Sequence, residues 1–111
     1  MRLKSAIWVA AYVRRCHLEG AFAVVRRKGA EEAGAVYVIV NHLDRTHHVF
    51  GPAPGPAYDE QGERRFSLEF VGAVPAAEVD TLIARRAASD PDIWVVEIED
   101  RDGLAGLVAS P

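Results

Sequence analysis

Four kinds of side chain in this 111-residue chain could carry chemistry: paired carboxylates, histidines with one cysteine, scattered serines, and clustered arginines. Glu97 and Glu99 share one face of a strand pattern, about 7 Å apart at i and i+2, a spacing open to acid–base work or cation binding. Asp59-Glu60 and Asp100/Asp102 are the other acidic pairs. The simpler assignment for Glu97 and Glu99 is the solvated face of an edge strand, where charge discourages pairing with other chains. His17, His42, His47 and His48 with Cys16 are the zinc-type ligands on offer. A structural zinc site takes four ligands, usually in spaced pairs, whereas Cys16-His17 and His47-His48 are adjacent and point to different sides of their elements. No metal is therefore expected. Ser5, Ser67, Ser89 and Ser110 lack the glycine-flanked elbow of a nucleophilic serine. Cys16 would need an exposed, electropositive setting to react.

The basic residues repeat as doublets: Arg14-Arg15, Arg26-Arg27-Lys28, Arg64-Arg65 and Arg85-Arg86 hold nine of the 13 lysines and arginines. Converging, they would form an anion site for phosphate or nucleic acid. Alternation along strands and helices sends the members of each doublet to different faces. The sequence pI near 5.8 and the lack of a nucleic-acid module argue against nucleic acid as a partner. Charge is polarised: residues 1–28 carry seven Lys/Arg against one Glu, and residues 90–111 carry six Asp/Glu against one Arg. The plainer meaning is mutual neutralisation, within one chain or across a dimer.

The positioning elements follow from periodicity. Ser5 suits a helix N-cap and Gly20 the residue just past its end. At 100° per residue, Trp8, Val9, Tyr12, Val13 and Cys16 make one apolar stripe. Ile7, Ala11 and Leu18 make a second, with Arg14 beside it; this stripe is the candidate subunit interface. "AFAVVRRK" and "AVYVIVNHL" are strands by their β-branched content, expected to pair as a hairpin around Gly29–Gly34. Apolar residues on both faces of the second strand call for cover on both sides. A turn at Asp44-Arg45, a strand from Thr46 to Phe50 and a possible fourth at "RRFSLEF" come next. Pro75 suits the first turn of a second helix with Val79, Leu82, Ile83 and Ala87 inward, ended by Asp90-Pro91. "IWVVEIE" is the last strand. The expectation is one α+β domain over residues 1–111: helix, three to four antiparallel strands, helix, strand, in a single sheet packed by two helices. The ordered core is expected at about 4–102, with a flexible tail at 103–111. That element order is shared with metal-dependent nucleases, but neither Lys4 nor Lys28 completes their acidic-plus-lysine motif. One cysteine and an apolar run of eight residues, Ala6–Val13, too short to span a bilayer, point to a cytoplasmic protein with no membrane role.

"VFGPAPGPAYDE" (residues 49–60) alternates proline with glycine or alanine. Between two strands it reads as a stiff crossover with bends permitted at Gly51 and Gly55, holding Phe50, Tyr58 and Arg64-Arg65 in fixed positions.

"RLKSAIWVAAYVRRC", "GAFAVVRRKG", "AGAVYVIVN", "FGPAP", "RRF" and "DPDIWVVEIEDR" together resemble an alphaproteobacterial family of short proteins, domain of unknown function fourteen-ninety-one, over about residues 2–102. The resemblance implies a bacterial cytosolic setting and assigns no activity, cofactor or catalytic residue. Two functions remain. The first is a non-enzymatic domain that forms a homodimer, through Ile7, Ala11, Arg14 and Leu18 or an exposed sheet edge, and binds another cytosolic protein. The alternative is a small-molecule or anion-binding domain, which could also be an enzyme, with Tyr58, Arg64 and Arg65 in a pocket near residues 50–65. No cofactor is expected.

Overall fold

The computed structural model describes residues 3–110. Helix α1 (Ser5–Leu18) is followed by β1 (Ala23–Arg27), β2 (Val36–Asn41), β3 (Thr46–Pro52), β4 (Phe66–Leu68), β5 (Val74–Pro75), α2 (Ala76–Ser89) and β6 (Trp94–Glu99). The strands form one sheet in the order β1-β6-β2-β3-β4, with β5 pairing beside β3. The α+β class and the single helix-packed sheet agree with the sequence reading. The pairing differs in one respect: β1 and β2 are not a hairpin. Strand β6 lies between them, antiparallel to β1 and parallel to β2, so the sheet is mixed.

This insertion explains the composition of the strands. β2 and β6 are flanked on both sides and covered on both faces over much of their length, so residues 36–40 and 94–96 are apolar on both faces, and alternation appears only in β6 from Glu97 on. Val36, Val38, Val40, Trp94, Val96 and Ile98 join Phe50 and Phe66 beneath Val9, Tyr12 and Cys16 of α1. On the other face Tyr37, Ile39, Val49, Ile93 and Val95 pack against Val79 and Leu82 of α2. Each fully buried side chain of this size stabilises the fold by roughly 1.5–3 kcal/mol over its exposed state.

The ends of the helices are closed by different means. Ser5 is the first helical residue, not the N-cap, and it is completely buried. Its hydroxyl donates to the Gly34 carbonyl at 2.6 Å, and the Ser5 and Ala6 amides donate to Glu32 and Glu31 carbonyls. The β1–β2 loop thus satisfies the first turn, which leaves the serine free to tie helix to loop. At the other end, the Ala21 amide reaches the Cys16 carbonyl and the Gly20 amide that of His17, with Gly20 at φ +83°; this is a Schellman closure. Pro75 is extended and precedes α2 rather than opening it, and Asp90 ends α2 in an extended conformation.

Two further expectations shift. β3 runs on to Pro52, which pairs with Phe66, so the proline segment begins inside the sheet. Gly51 is therefore not a bend: a Cβ there would meet the Tyr37 ring at 2.7 Å, and glycine lets that ring pass. Gly55 is the bend, at φ +88°. After Asp102, where the sequence shows no pattern, Leu104, Ala105, Leu107 and Ala109 pack against the α1-side core. The Ser110 amide donates to the Phe66 carbonyl at 2.7 Å, and Ala109 bridges Phe66.

Candidate functional site

The residues of the proline segment separate once folded. Arg65 Nη1 donates to the Pro54 and Pro56 carbonyls at 2.9 and 2.7 Å. Its guanidinium is a staple that fixes the segment. Tyr58 bridges Arg64 across a small hairpin, and the Arg64 guanidinium sits 5.6 Å from the Tyr58 ring centroid. Arg64 Nη2 donates to Ser5 Oγ at 2.8 Å and to the Leu3 carbonyl at 3.3 Å. Arg64 is thus turned toward α1, and Tyr58, Arg64 and Arg65 together border a cleft of about 280 Å³ with Pro52 and Phe66.

On α1 the second stripe is where the helical wheel puts it. Ile7, Ala11, Arg14 and Leu18 are all exposed. The exposed apolar surface then continues past the Gly20 turn: Leu18 is 75% exposed, Phe22 60%, Val24 41% and Val25 40%. Among the described residues β1 pairs with β6 and with no other strand, so no strand lies along its other edge; of its carbonyls, that of Ala23 accepts from His17 Nε2 at 2.9 Å. Arg26 and Arg27 do not guard that edge. Arg26 donates to Glu97 Oε1 at 3.0 Å and lies 3.6 Å from Asp80, and Arg27 donates to the Pro91 carbonyl. These contacts also correct the reading of Glu97. It belongs to an interior strand, and it accepts from Arg26 on one side and Asn41 Nδ2 on the other.

The sequence nucleophiles are engaged in the fold. The Cys16 thiol is buried, and desolvation raises its pKa. Burial likewise holds Tyr12 well above the ordinary phenol range, and its hydroxyl donates to the Ala105 carbonyl at 2.7 Å. Among the described residues no group of three or more His, Cys, Asp or Glu is placed to hold a metal ion. Two of the histidines, His42 and His48, instead form a chain. His42 Nδ1 donates to the Asp100 carbonyl at 2.7 Å, and His42 Nε2 lies 2.7 Å from His48 Nδ1. Desolvation first, then neighbouring His42, lowers the His48 pKa. No helix among the described residues is long and apolar enough to cross a membrane.

One grouping has only a partial signal in the sequence. Trp8 and Tyr12, at i and i+4, stack with centroids 4.9 Å apart, and Trp8 meets Phe66 at 5.4 Å. The C-terminal segment supplies the facing wall, which no periodicity could have announced.

The chain matches the family model described as a protein of unknown function, DUF1491, over residues 3–107. It is similar to the solution structure of protein Atu0922 from A. tumefaciens, with 41% identity and a TM-score of 0.82 over 100% of this chain and 98% of that one. It is also similar to the crystal structure of a DUF1491 family protein from Caulobacter crescentus CB15, at 43% identity and TM-score 0.79, covering 97% and 95% of the two chains. An NMR structure of a DUF1491 family protein from the same organism gives 44% identity and 0.76 over 98% and 96%. No curated protein matches. A family match over nearly the whole chain, joined to relatives above 40% identity with the same fold, places this protein in the DUF1491 family.

Proposed function

We propose that the protein is a non-enzymatic interaction domain that acts as a homodimer, with the open edge of β1 as the contact between copies. The observation that carries this is an edge strand bearing exposed Phe22, Val24 and Val25 while its arginines fold back onto their own sheet. Edge strands are ordinarily protected by outward charge. Here Arg26 and Arg27 are spent on Glu97, Asp80 and Pro91, so the backbone edge and its apolar flank face outward together. A second copy meeting β1 antiparallel would extend the sheet and cover Phe22, with Leu18 and Ile7 of α1 at the rim. The paired surface would also serve a cytosolic protein partner. The setting we infer is the cytosol, where a lone buried thiol such as Cys16 stays reduced.

Light scattering coupled to gel filtration at micromolar concentration is expected to give twice the chain mass, and Phe22→Asp with Val25→Lys is expected to halve it. A monomer of the unaltered chain rejects the proposal. A dimer that survives these changes and is lost with Ile7→Asp and Leu18→Asp moves the contact to the helix stripe.

A further inference from the structure

A cleft of about 510 Å³ runs between α1, β4 and the C-terminal segment, away from the β1 edge. Its volume lies within the range of small-molecule sites. Trp8, Tyr12 and Phe66 form the floor; Arg15 and Arg64 both line it; Leu3 and Val108 stand exposed at the lip. We infer that this cleft binds a small planar anion: an aromatic ring carrying a carboxylate, the ring against Trp8 and the charge between Arg15 and Arg64.

The floor selects a ring. Trp8 is only half-buried and already stacks with Tyr12, so one more aromatic face extends an existing offset stack. Val108, 82% exposed, is a large apolar group on a segment otherwise packed down, and a ring in the cleft would cover it.

The arginines select an anion. The net charge of the chain is −3, yet Glu63 is the one acid among the residues lining this cleft, against two guanidinium groups. Arg15 lies over the Tyr12 ring at 5.1 Å, and its ion pair with Glu19 is a long 3.7 Å between exposed partners, a contact of little energy in water. Arg64 has no ion pair with any described residue. Its Nη2 is held by Ser5 Oγ and the Leu3 carbonyl, and its buried Nε has no hydrogen-bond partner. A half-buried cation anchored by neutral oxygens on one side is a fixed donor for a carboxylate on the other. Gly106 keeps the approach open: a Cβ there would meet Arg15 Nη2 at 2.8 Å.

The test uses 2-naphthoate as the probe, its neutral counterpart 2-naphthalenemethanol, and inorganic phosphate. Amide shifts in a proton–nitrogen correlation spectrum of the full chain should localise naphthoate to Trp8, Tyr12, Arg64 and residues 106–108. Arg15→Gln and, separately, Val108→Glu, both at exposed positions that the fold does not need, should each weaken naphthoate about tenfold. Neither the neutral analogue nor phosphate should compete at equal concentration. Naphthoate shifts centred elsewhere, equal affinity for the alcohol, or equal affinity for phosphate would each overturn the inference.

Discussion

The two edges of the sheet end differently. At one, β4 is covered by the chain itself: the C-terminal segment bridges Phe66 through Ala109, and the Ser110 amide donates to the Phe66 carbonyl. At the other, β1 ends in an open backbone edge flanked by Phe22, Val24 and Val25. Both edges meet the same hazard of unpaired strand groups. One solution uses the chain's own C-terminal segment; at the other, no strand of the described residues lies along the outer side of β1. Two phenylalanines make the contrast measurable. Phe66 is 5% exposed and touches Trp8, whereas Phe22 is 60% exposed. Urea denaturation should show Phe66→Ala losing about 3–5 kcal/mol through burial and cavity terms. Phe22→Ala should fall within about 0.5 kcal/mol for the monomer, as surface changes do. Equal losses would mean that β1 is covered within its own chain.

Much of this architecture was readable because it is local. Both helices, the β2–β3 turn and the runs of β2 and β6 follow from periodicity and punctuation, and the exposed face of Ile7, Ala11, Arg14 and Leu18 follows from the helical wheel. What failed was non-local. The insertion of β6 between β1 and β2 depends on Gly29 and Gly34, where a Cβ would run into the Asp92 carbonyl oxygen. The Ala30 amide bonds to that same oxygen, and Trp94 Nε1 donates to the Ala30 carbonyl. The glycines were visible as loop boundaries; that they admit residues more than fifty positions away was not. Arg64 and Arg65 were likewise inseparable by type, and only the path of the proline segment sends one to α1 and the other to Pro54 and Pro56. Ser5 has the chemistry of a cap but loses that role to loop carbonyls.

The crossover that leads into the covered edge should loosen by degrees if its staple is removed. Arg65→Ala deletes both hydrogen bonds to the proline segment. These are charge-assisted but partly solvated, so the expected loss is about 1 kcal/mol. The sharper readout is hydrogen exchange. The Ala53 and Arg65 amides, which close the crossover, should exchange faster, while amides of β1 and β6 are unchanged. Faster exchange at β1 as well would show the two edges to be coupled, contrary to the contrast drawn from their cover.

The smallest effect concerns the end of the sheet at the β2–β3 turn, which is closed by side chains rather than by chain. There His42 links the Asp100 carbonyl to His48. Burial and neighbouring His42 both oppose a charge on His48, so its folded pKa lies below its unfolded one. As pH falls below about 6.5 the unfolded chain takes up the proton first. The folded state therefore loses this share of its stability from that point down through the lower folded value, and holds it fully above pH 6.5. Denaturation midpoints at pH 7.5 and 5.5 should show the loss in the unaltered chain and a flatter profile in His48→Gln. Hydrogen exchange, corrected for its intrinsic pH dependence, should place the change at His42, whose amide bonds to the Thr46 carbonyl. The β4 edge is covered without a histidine, whereas at β1 the Ala23 carbonyl accepts from His17 Nε2 at 2.9 Å, so the Ala53 and Ser110 amides should hold their protection across the same interval. A parallel loss there would mean that the covered edge, too, is held by a titrating group.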